Sequence, residues 1–360
     1  MKKMIKLSLV AATVLGLATT SYAESKVTVS GDAEVTYENL TQNDTTDVYK
    51  TADVNINIDA VNEDGVEFHS QFVLYDGTQG DITGLENGVV TDTTGNPEAY
   101  SQIERAYVVA PLPFAEAKLT AGLAPNGAFG SGMFENGGES WKTDLTMKAA
   151  GLKVKVGNVT IKESNASQAD KIKNYVKVEG SAGDIKYGLQ YSNTKDTATD
   201  CTKTYMNPYV TASVAGLDIA AEYASWGSDG DGTGMFVQAG KEMGPLSVAL
   251  AYVTLSGADG SAGGDYAASD FFDGNVASNA TDDTSAIVVP VSYKVSDKLT
   301  AGLTYVSADV TGLDGTAMDI TADYALGKST SIGLLYATAT GDAVGADDYT
   351  KMAMSVSMSF

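Results

Sequence analysis

The ten residues KMAMSVSMSF (351–360) end the chain and alternate between apolar side chains and polar or small ones. The apolar positions are Met352, Met354, Val356, Met358 and Phe360. An alternation with a period of two residues is typical of a β-strand whose two faces meet different surroundings. Chain ends usually fray unless something ties them down. A strict pattern that stops on an aromatic residue therefore predicts a final strand that is paired along its whole length.

The same alternation recurs through the rest of the chain. In KVTVSGDAEVTYE (26–38) the apolar residues fall on one face and most charged and polar residues on the other, and TADVNINIDA (51–60) repeats this arrangement. Clear helical periodicity is hard to find. After the first 23 residues no run of 18 apolar residues remains, so a membrane-spanning helix is not expected.

Five segments share a further pattern: a short turn, a strand with a tyrosine near its far end on the apolar face, and then a polar loop. They are IKYGLQYS (185–192), DIAAEYAS (218–225), LSVALAYV (246–253), LTAGLTYV (299–306) and TSIGLLYA (330–337). Transmembrane β-barrels have short turns at one end, long loops at the other and aromatic residues at the membrane interfaces. A soluble β-sandwich also alternates, but its facing sheets need bulky core residues, whereas many apolar faces here mix Ala and Gly with Leu and Val. The sequence therefore predicts an all-β fold, a transmembrane antiparallel β-barrel with short periplasmic turns and long extracellular loops.

The alternating segments predict 18 strands. Their ranges are 26–38, 47–60, 66–75, 101–110, 116–123, 142–149, 152–163, 171–180, 185–192, 204–214, 218–226, 234–243, 246–255, 285–295, 299–309, 316–326, 330–339 and 350–360. A turn at AAGLK (149–153) separates two of them, because VAGLD (214–218) is its near copy; if that turn fails, the number is 16. Both numbers are even, as in bacterial barrels, and both leave room for an aqueous channel.

The first 23 residues, MKKMIKLSLVAATVLGLATTSYA, have early lysines, a short apolar run and small residues at Ser21 and Ala23. This is the pattern of a secretory signal peptide, and the run is too short for the alternative, a membrane-anchoring helix. Residues 24–360 then form a single barrel domain. Without the leader, 20 basic groups face 46 acidic ones, a formal net charge of −26, so nucleic acid is not an expected partner.

Residue counts also limit the chemistry. Cys201 is the only cysteine and His69 the only histidine, so an internal disulfide and His/Cys metal clusters are excluded. A nucleophilic triad would have to use His69, and neither an enzyme nor a cofactor is expected. The acidic segments 75–100 and 257–285 offer carboxylates that could hold Ca²⁺, but solvated surface loops are the preferred interpretation.

Two stretches near the middle of the chain resemble a known family. IERAYVVAPLPFAEAKLTAGLAP (103–125) resembles the fourth and fifth strands of the general Gram-negative porins, and APNGAFGSGMFENGGESW (124–141) stands where their third loop folds into the lumen. The resemblance implies a trimeric outer-membrane diffusion channel with a constriction loop at 124–141. The final stretch, 351–360, resembles the C-terminal assembly signal of Gram-negative outer-membrane proteins, which implies that the barrel-assembly machinery reads Phe360. One position departs from the family: Gly122-Leu123 stands where a Gly-Arg pair is usual.

Charged residues on the polar faces are the candidates for lining a pore. Eleven of the 22 lysines lie between residues 142 and 203, with only seven acids. The candidates are Lys118, Lys148, Lys153, Lys155, Lys173 and Lys177 on a basic side, Asp32, Glu34, Asp53, Glu67 and His69 on an acidic side, and Glu135, Glu139 and Asp144 in or beside the constriction loop. If both sides face the lumen, a field runs across it and sorts solutes by charge. The alternative is that the lysines neutralise neighbouring acids in a wide, screened lumen.

Arg105 is the only arginine and shares a face with Tyr107 and Val109. It is either a lumen-wall cation near the constriction or part of an ion pair with Glu104 or with a loop acid. The leading functional hypothesis is passive diffusion of ions and small hydrophilic solutes, with mild cation selectivity from the acidic excess. The alternatives are an anion-selective channel that uses the lysines, and a structural or adhesive surface barrel.

Overall fold

The structure, a computed structural model, describes residues 26–42, 45–79, 102–127, 129–134, 139–161, 171–196, 202–227, 232–257, 283–342 and 348–360. In this part of the chain, no helix is long and apolar enough to cross a membrane. The predicted signal peptide lies outside these residues.

The described residues form 18 β-strands. The first nine are β1 (Lys26–Gln42), β2 (Thr45–Val61), β3 (Glu67–Gln79), β4 (Gln102–Pro111), β5 (Lys118–Pro125), β6 (Glu139–Ala149), β7 (Leu152–Ile161), β8 (Lys171–Ala182) and β9 (Ile185–Asp196). The second nine are β10 (Thr202–Val214), β11 (Leu217–Gly227), β12 (Gly232–Met243), β13 (Leu246–Ser256), β14 (Thr284–Lys294), β15 (Leu299–Val310), β16 (Leu313–Ala325), β17 (Thr330–Thr340) and β18 (Tyr349–Ser359).

Each strand pairs antiparallel with its neighbours in sequence, and β1 also pairs with β18, so the sheet closes into a barrel. The predicted number of 18 strands is confirmed and the alternative of 16 is wrong. The turn between β6 and β7 is formed by Ala150 and Gly151, whose φ angles are 51° and 81°. Two successive residues in the left-handed region are typical of a tight hairpin turn, which is why this stretch is two strands and not one kinked strand.

The two faces of the barrel wall differ in character. The large exposed apolar side chains lie on the outward face. They include the tyrosines near the far ends of the five repeated segments, Tyr191, Tyr223, Tyr252, Tyr305 and Tyr336. Ionisable residues of β1–β3 and β6–β9 mostly share the opposite face, which is the inward one, since they alternate with the exposed apolar residues along each strand. This is the alternation of a membrane barrel, apolar toward lipid and polar toward the lumen.

The chain's last residue completes the closing seam. Phe360 and Gly31 exchange two backbone hydrogen bonds, each 2.9 Å between nitrogen and oxygen. The Phe360 ring lies over Gly31, so close that a Cβ on Gly31 would stand 2.6 Å from a ring carbon. The final strand is therefore paired to its last residue, as the alternation predicts.

Strand boundaries differ from the predicted ones mainly at the loop end, the end opposite the short turns and the termini. β1 continues to Gln42 and β9 to Asp196, beyond predicted ends at 38 and 192. The connections at the loop end are also not all long: β15 and β16 are joined there by two residues, Thr311 and Gly312. The prediction of long loops thus fails at this connection, because the polar residues that suggested a loop continue the ladder instead.

Candidate functional site

A segment between β5 and β6 lies against the inward face of strands far around the barrel. The predicted loop 124–141 overlaps the strand ends, since β5 runs to Pro125 and β6 starts at Glu139. The connection proper is therefore 126–138, of which residues 126–127 and 129–134 are described. At its base, the Asn126 amide donates to Ser140 Oγ over 3.0 Å. We call residues 129–134 the inner segment.

One carboxylate on β11 holds the middle of the inner segment. Glu222 Oε2 accepts a hydrogen bond from the Ser131 backbone N–H at 2.7 Å and another from the Ser131 hydroxyl. Glu222 Oε1 accepts from the Asn207 amide of β10 at 3.0 Å. Glu222 is 3% exposed and Asn207 is fully buried. Hydrogen bonds to an ionised group are among the stronger ones in proteins, so Glu222 fixes the segment to the wall.

Apolar contacts fix both ends of the inner segment. Phe129 packs edge-on against Tyr209, with ring centroids 5.0 Å apart, and Phe134 packs edge-on against Trp226 at 5.9 Å. Met133 and Phe134 join a buried cluster with inward residues of β11 to β18, including Phe236. The backbone of Gly234 forms the seat of Phe134, because a Cβ there would stand 2.6 Å from the ring.

The strands between the loop base and this anchor carry a basic wall. Lys142 and Lys155 both face Asp144 Oδ2, at 3.5 and 3.2 Å, and the Tyr175 hydroxyl donates to the same oxygen at 3.1 Å. The Asp144 side chain is 0% exposed and that of Lys142 2%. A buried carboxylate between two ammonium groups is compensated, whereas either charge alone would be costly there.

Other lysines of this wall also have partners. Lys153 pairs with Glu179 at 3.0 Å, and Lys148 pairs with Glu116. Lys177 lies over the rings of Phe129 and Tyr175, 5.3 and 5.8 Å from their centroids. Lys177 thus links the basic wall to the inner segment through a cation–π contact.

The acidic side lies on β1 to β3. Asp32 accepts from the Asn55 amide at 3.0 Å, and Glu34 accepts from the Thr36 hydroxyl at 3.3 Å. Asp53 stands directly opposite Glu34 in the register. These three carboxylates lie on neighbouring strands.

Toward the turn end, His69 connects the acidic side to β4 and β5. Its ring nitrogens contact Asp59 at 2.6 Å and Glu67 at 3.2 Å, and its ring stacks on Tyr107 at 4.8 Å. Lys118 completes the group through an ion pair with Glu67 at 3.0 Å. In the described residues, no group of three His, Cys, Asp or Glu side chains is suited to hold a metal ion.

The remaining predicted residues are placed as follows. Arg105 on β4 stands opposite Gln71 on β3. Lys173 on β8 stands opposite Val159 on β7. Glu139 belongs to β6, so its predicted place within the loop is wrong, and only its backbone is described. Glu135 lies outside the described residues, as do most of the acidic segments 75–100 and 257–285.

Sequence reasoning missed Glu222, Asn207 and Trp226. In DIAAEYAS the sequence draws attention to the outward tyrosine, while Glu222 is one acid among many. A usable signal was present: Glu222 is the only charged residue among the apolar and aromatic residues at the centre of β11, 219–224. A charge in that setting needs a specific partner, and only the fold supplies Ser131, 91 positions earlier.

A closed 18-stranded barrel with a polar, charged interior and a chain segment folded inside is the architecture of a channel-forming outer-membrane protein. The family model described as Gram-negative porin matches residues 8–357. The chain therefore belongs to the Gram-negative porin family and is a channel protein of the outer membrane. No curated protein sequence matches it.

Solved structures share the fold at low sequence identity. OpdQ of Pseudomonas aeruginosa is 13% identical, with a TM-score of 0.65, covering 93% of this chain and 99% of that one. OccAB4 of Acinetobacter baumannii is 14% identical, with a TM-score of 0.63 and coverages of 95% and 99%. OccK3 (OpdO) of Pseudomonas aeruginosa is 12% identical, with a TM-score of 0.62 and coverages of 92% and 95%. At such identities the likeness concerns the fold alone.

Proposed function

We propose that this protein is a passive diffusion channel for ions and small hydrophilic solutes, narrowed by the inner segment and mildly selective for cations. Three features support the narrowing: the Glu222 anchor, the seat of Phe134 at Gly234, and the cluster around Phe236. The inward apolar residues of β12 to β17 are buried, whereas the charged inward residues lie mostly on β1 to β9.

The proposed cation selectivity rests on one observation: the charged residues of the basic side and those of the acidic side have different kinds of partner. Five inward lysines, Lys118, Lys142, Lys148, Lys153 and Lys155, are each within ion-pair distance of a carboxylate. Asp32 and Glu34 instead accept hydrogen bonds from neutral donors. These five lysines share four carboxylates, since Lys142 and Lys155 both face Asp144, so most but not all of their charge cancels at a distance, whereas a carboxylate bonded to an amide or hydroxyl is not cancelled by that partner. Carboxylates in a pore favour cations.

An anion-selective channel is the second candidate. The lysines Lys173, Lys177 and Lys186 follow the inward faces of β8 and β9, and cationic groups in a pore wall favour anions. We also propose, from family membership, a homotrimer whose subunits are inserted by the barrel-assembly machinery after cleavage of residues 1–23, with Phe360 as the signal. A structural or adhesive barrel would share the wall but would not conduct.

Purified protein in a planar lipid bilayer tests these alternatives. We expect large ohmic conductance steps that arrive in threes, and a reversal potential in a KCl gradient that favours K⁺ over Cl⁻ by a small factor, roughly two to five, because salt screens wall charges beyond about 8–10 Å. A potential that favours Cl⁻ would support the lysine path instead. The complete absence of steps would contradict the channel proposal and leave a structural or adhesive barrel.

A further inference from the structure

The wall that holds the inner segment contains a break in its hydrogen-bond ladder. Pro208 lies in the middle of β10, where Met206 pairs with Ser225 and Tyr209 with Glu222. Pro208 therefore stands opposite Tyr223 and has no N–H to donate to it. Proline is unusual inside a sheet for this reason, and an unsatisfied carbonyl is expensive within a membrane.

The side chain of Asn207 repairs this break from the inside of the barrel. Its amide nitrogen donates to the Tyr223 carbonyl at 2.9 Å. The same nitrogen donates to Glu222 Oε1 at 3.0 Å. One fully buried NH₂ group therefore joins the wall at its weak point to the carboxylate that holds Ser131.

Among the described residues, the outward face has mainly apolar side chains at this place. A groove of about 450 Å³ lies there, lined mainly by apolar side chains that include Val210, Tyr223, Met235 and Val237. Val210, Met235 and Val237 have no side-chain donor to offer in place of the missing N–H. In the part of the chain that the structure describes, the Asn207 amide is the side-chain group that donates a hydrogen bond to the Tyr223 carbonyl.

We propose that Asn207 is a positioning residue for the constriction: it orients the Glu222 carboxylate toward the inner segment and so fixes the width of the pore. The proposal rests on the proposed function, in which the inner segment narrows a conducting pore. Asn207 itself does not contact Ser131 in the described structure. Its effect passes through the carboxylate, whose other oxygen receives both Ser131 hydrogen bonds.

The main difficulty of a test is that Asn207 has two bonds, one to the wall and one to Glu222. Pro208→Ala separates them, because alanine restores a backbone N–H opposite Tyr223. The decisive comparison is therefore Asn207→Leu/Pro208→Ala against Pro208→Ala alone. Asn174→Leu is the matched control, since Asn174 faces outward and, among the described residues, its side chain bonds to the asparagines of the neighbouring strands, Asn158 and Asn193.

We expect the double variant to spend about tenfold more of its open time at conductance levels other than the main one than Pro208→Ala does. Tenfold is about the factor that the loss of one hydrogen bond to a charged group produces. Asn174→Leu should behave like the unaltered protein. If the double variant matches Pro208→Ala, Asn207 serves only the wall and the proposal is wrong.

A second measurement does not depend on conduction. Trp226 contacts Phe134 of the inner segment, and Trp141→Phe leaves it as the only tryptophan. In that background, acrylamide should quench Trp226 at least twofold more strongly in the double variant than in Pro208→Ala. Equal quenching would overturn the role of Asn207, whereas unaltered protein that never conducts would overturn only the proposed function.

Discussion

Gly31→Leu should prevent the barrel from closing. The leucine Cβ would overlap the Asn55 carbonyl oxygen of β2 on one side and the Phe360 ring on the other. The carbonyl belongs to a paired backbone and cannot turn away, so the strand itself would have to shift. Overpacking of this kind costs about 1–3 kcal/mol, and each 1.4 kcal/mol lowers the equilibrium constant between the closed and the open barrel tenfold. Because the clash lies at the seam between β1 and β18, we expect this equilibrium constant to fall tenfold or more.

The folded fraction can be read from heat-modifiable mobility on a gel after refolding into detergent or vesicles. Gly327→Leu is the matched control, because Gly327 lies in a turn at the same end of the barrel and no atom approaches its Cβ position within 4 Å. A yield for Gly31→Leu equal to that of Gly327→Leu would show that β1 can move without losing its two neighbours.

Glu222→Leu should release the inner segment from the wall. The variant removes both hydrogen bonds to Ser131, and leucine offers no acceptor in their place. Hydrogen bonds to a charged group contribute about 1.5–3 kcal/mol each. A loss of about 3 kcal/mol would shift the equilibrium between held and released segment by roughly 100-fold. Single-channel recordings should then show frequent secondary levels and increased open-channel noise.

Loss of a wall charge could itself change the current, so a control with the same charge change is needed. Glu179→Leu provides it, since Glu179 contacts Lys153 and Tyr209 and no described residue of the inner segment. The two variants should shift the reversal potential similarly, but only Glu222→Leu should produce the secondary levels. Steady, single-level steps in Glu222→Leu would mean that Phe129, Met133 and Phe134 hold the segment without the carboxylate.

The wall of the barrel could be predicted from sequence because its pattern is local. A period of two is visible in each strand separately, and AAGLK shows the β6–β7 turn because a nearly identical turn recurs at 214–218. The ends at the loop side were less predictable, since Thr, Asn and Asp residues occur equally in outer strand ends and in loops. DVTGLDGTAM thus suggested a loop, although Thr311 and Gly312 form a tight turn there.

The site was less predictable because its contacts join distant residues. The polar face of each strand identified lysines and acids, but not that Asp144 would lie buried between Lys142 and Lys155. The anchor of the inner segment depends on Ser131 meeting Glu222, and the seat of Phe134 on the absence of a side chain at Gly234. No local pattern relates these residues, so only the closed barrel brings them together.

The closing seam has a consequence for the energetics of folding. Every other pairing in the barrel joins strands that are neighbours in sequence, whereas Asp32 pairs with Ser359 at the other end of the chain. The entropy of bringing two residues together grows with the logarithm of their separation, so this contact costs about 3 kcal/mol more than closing a ten-residue hairpin. The ladder from Asp32–Ser359 to Gln42–Tyr349 must offset that cost. A chain that fails at the seam still keeps the hairpins along its length, and it is left with two unpaired edges in place of a ring.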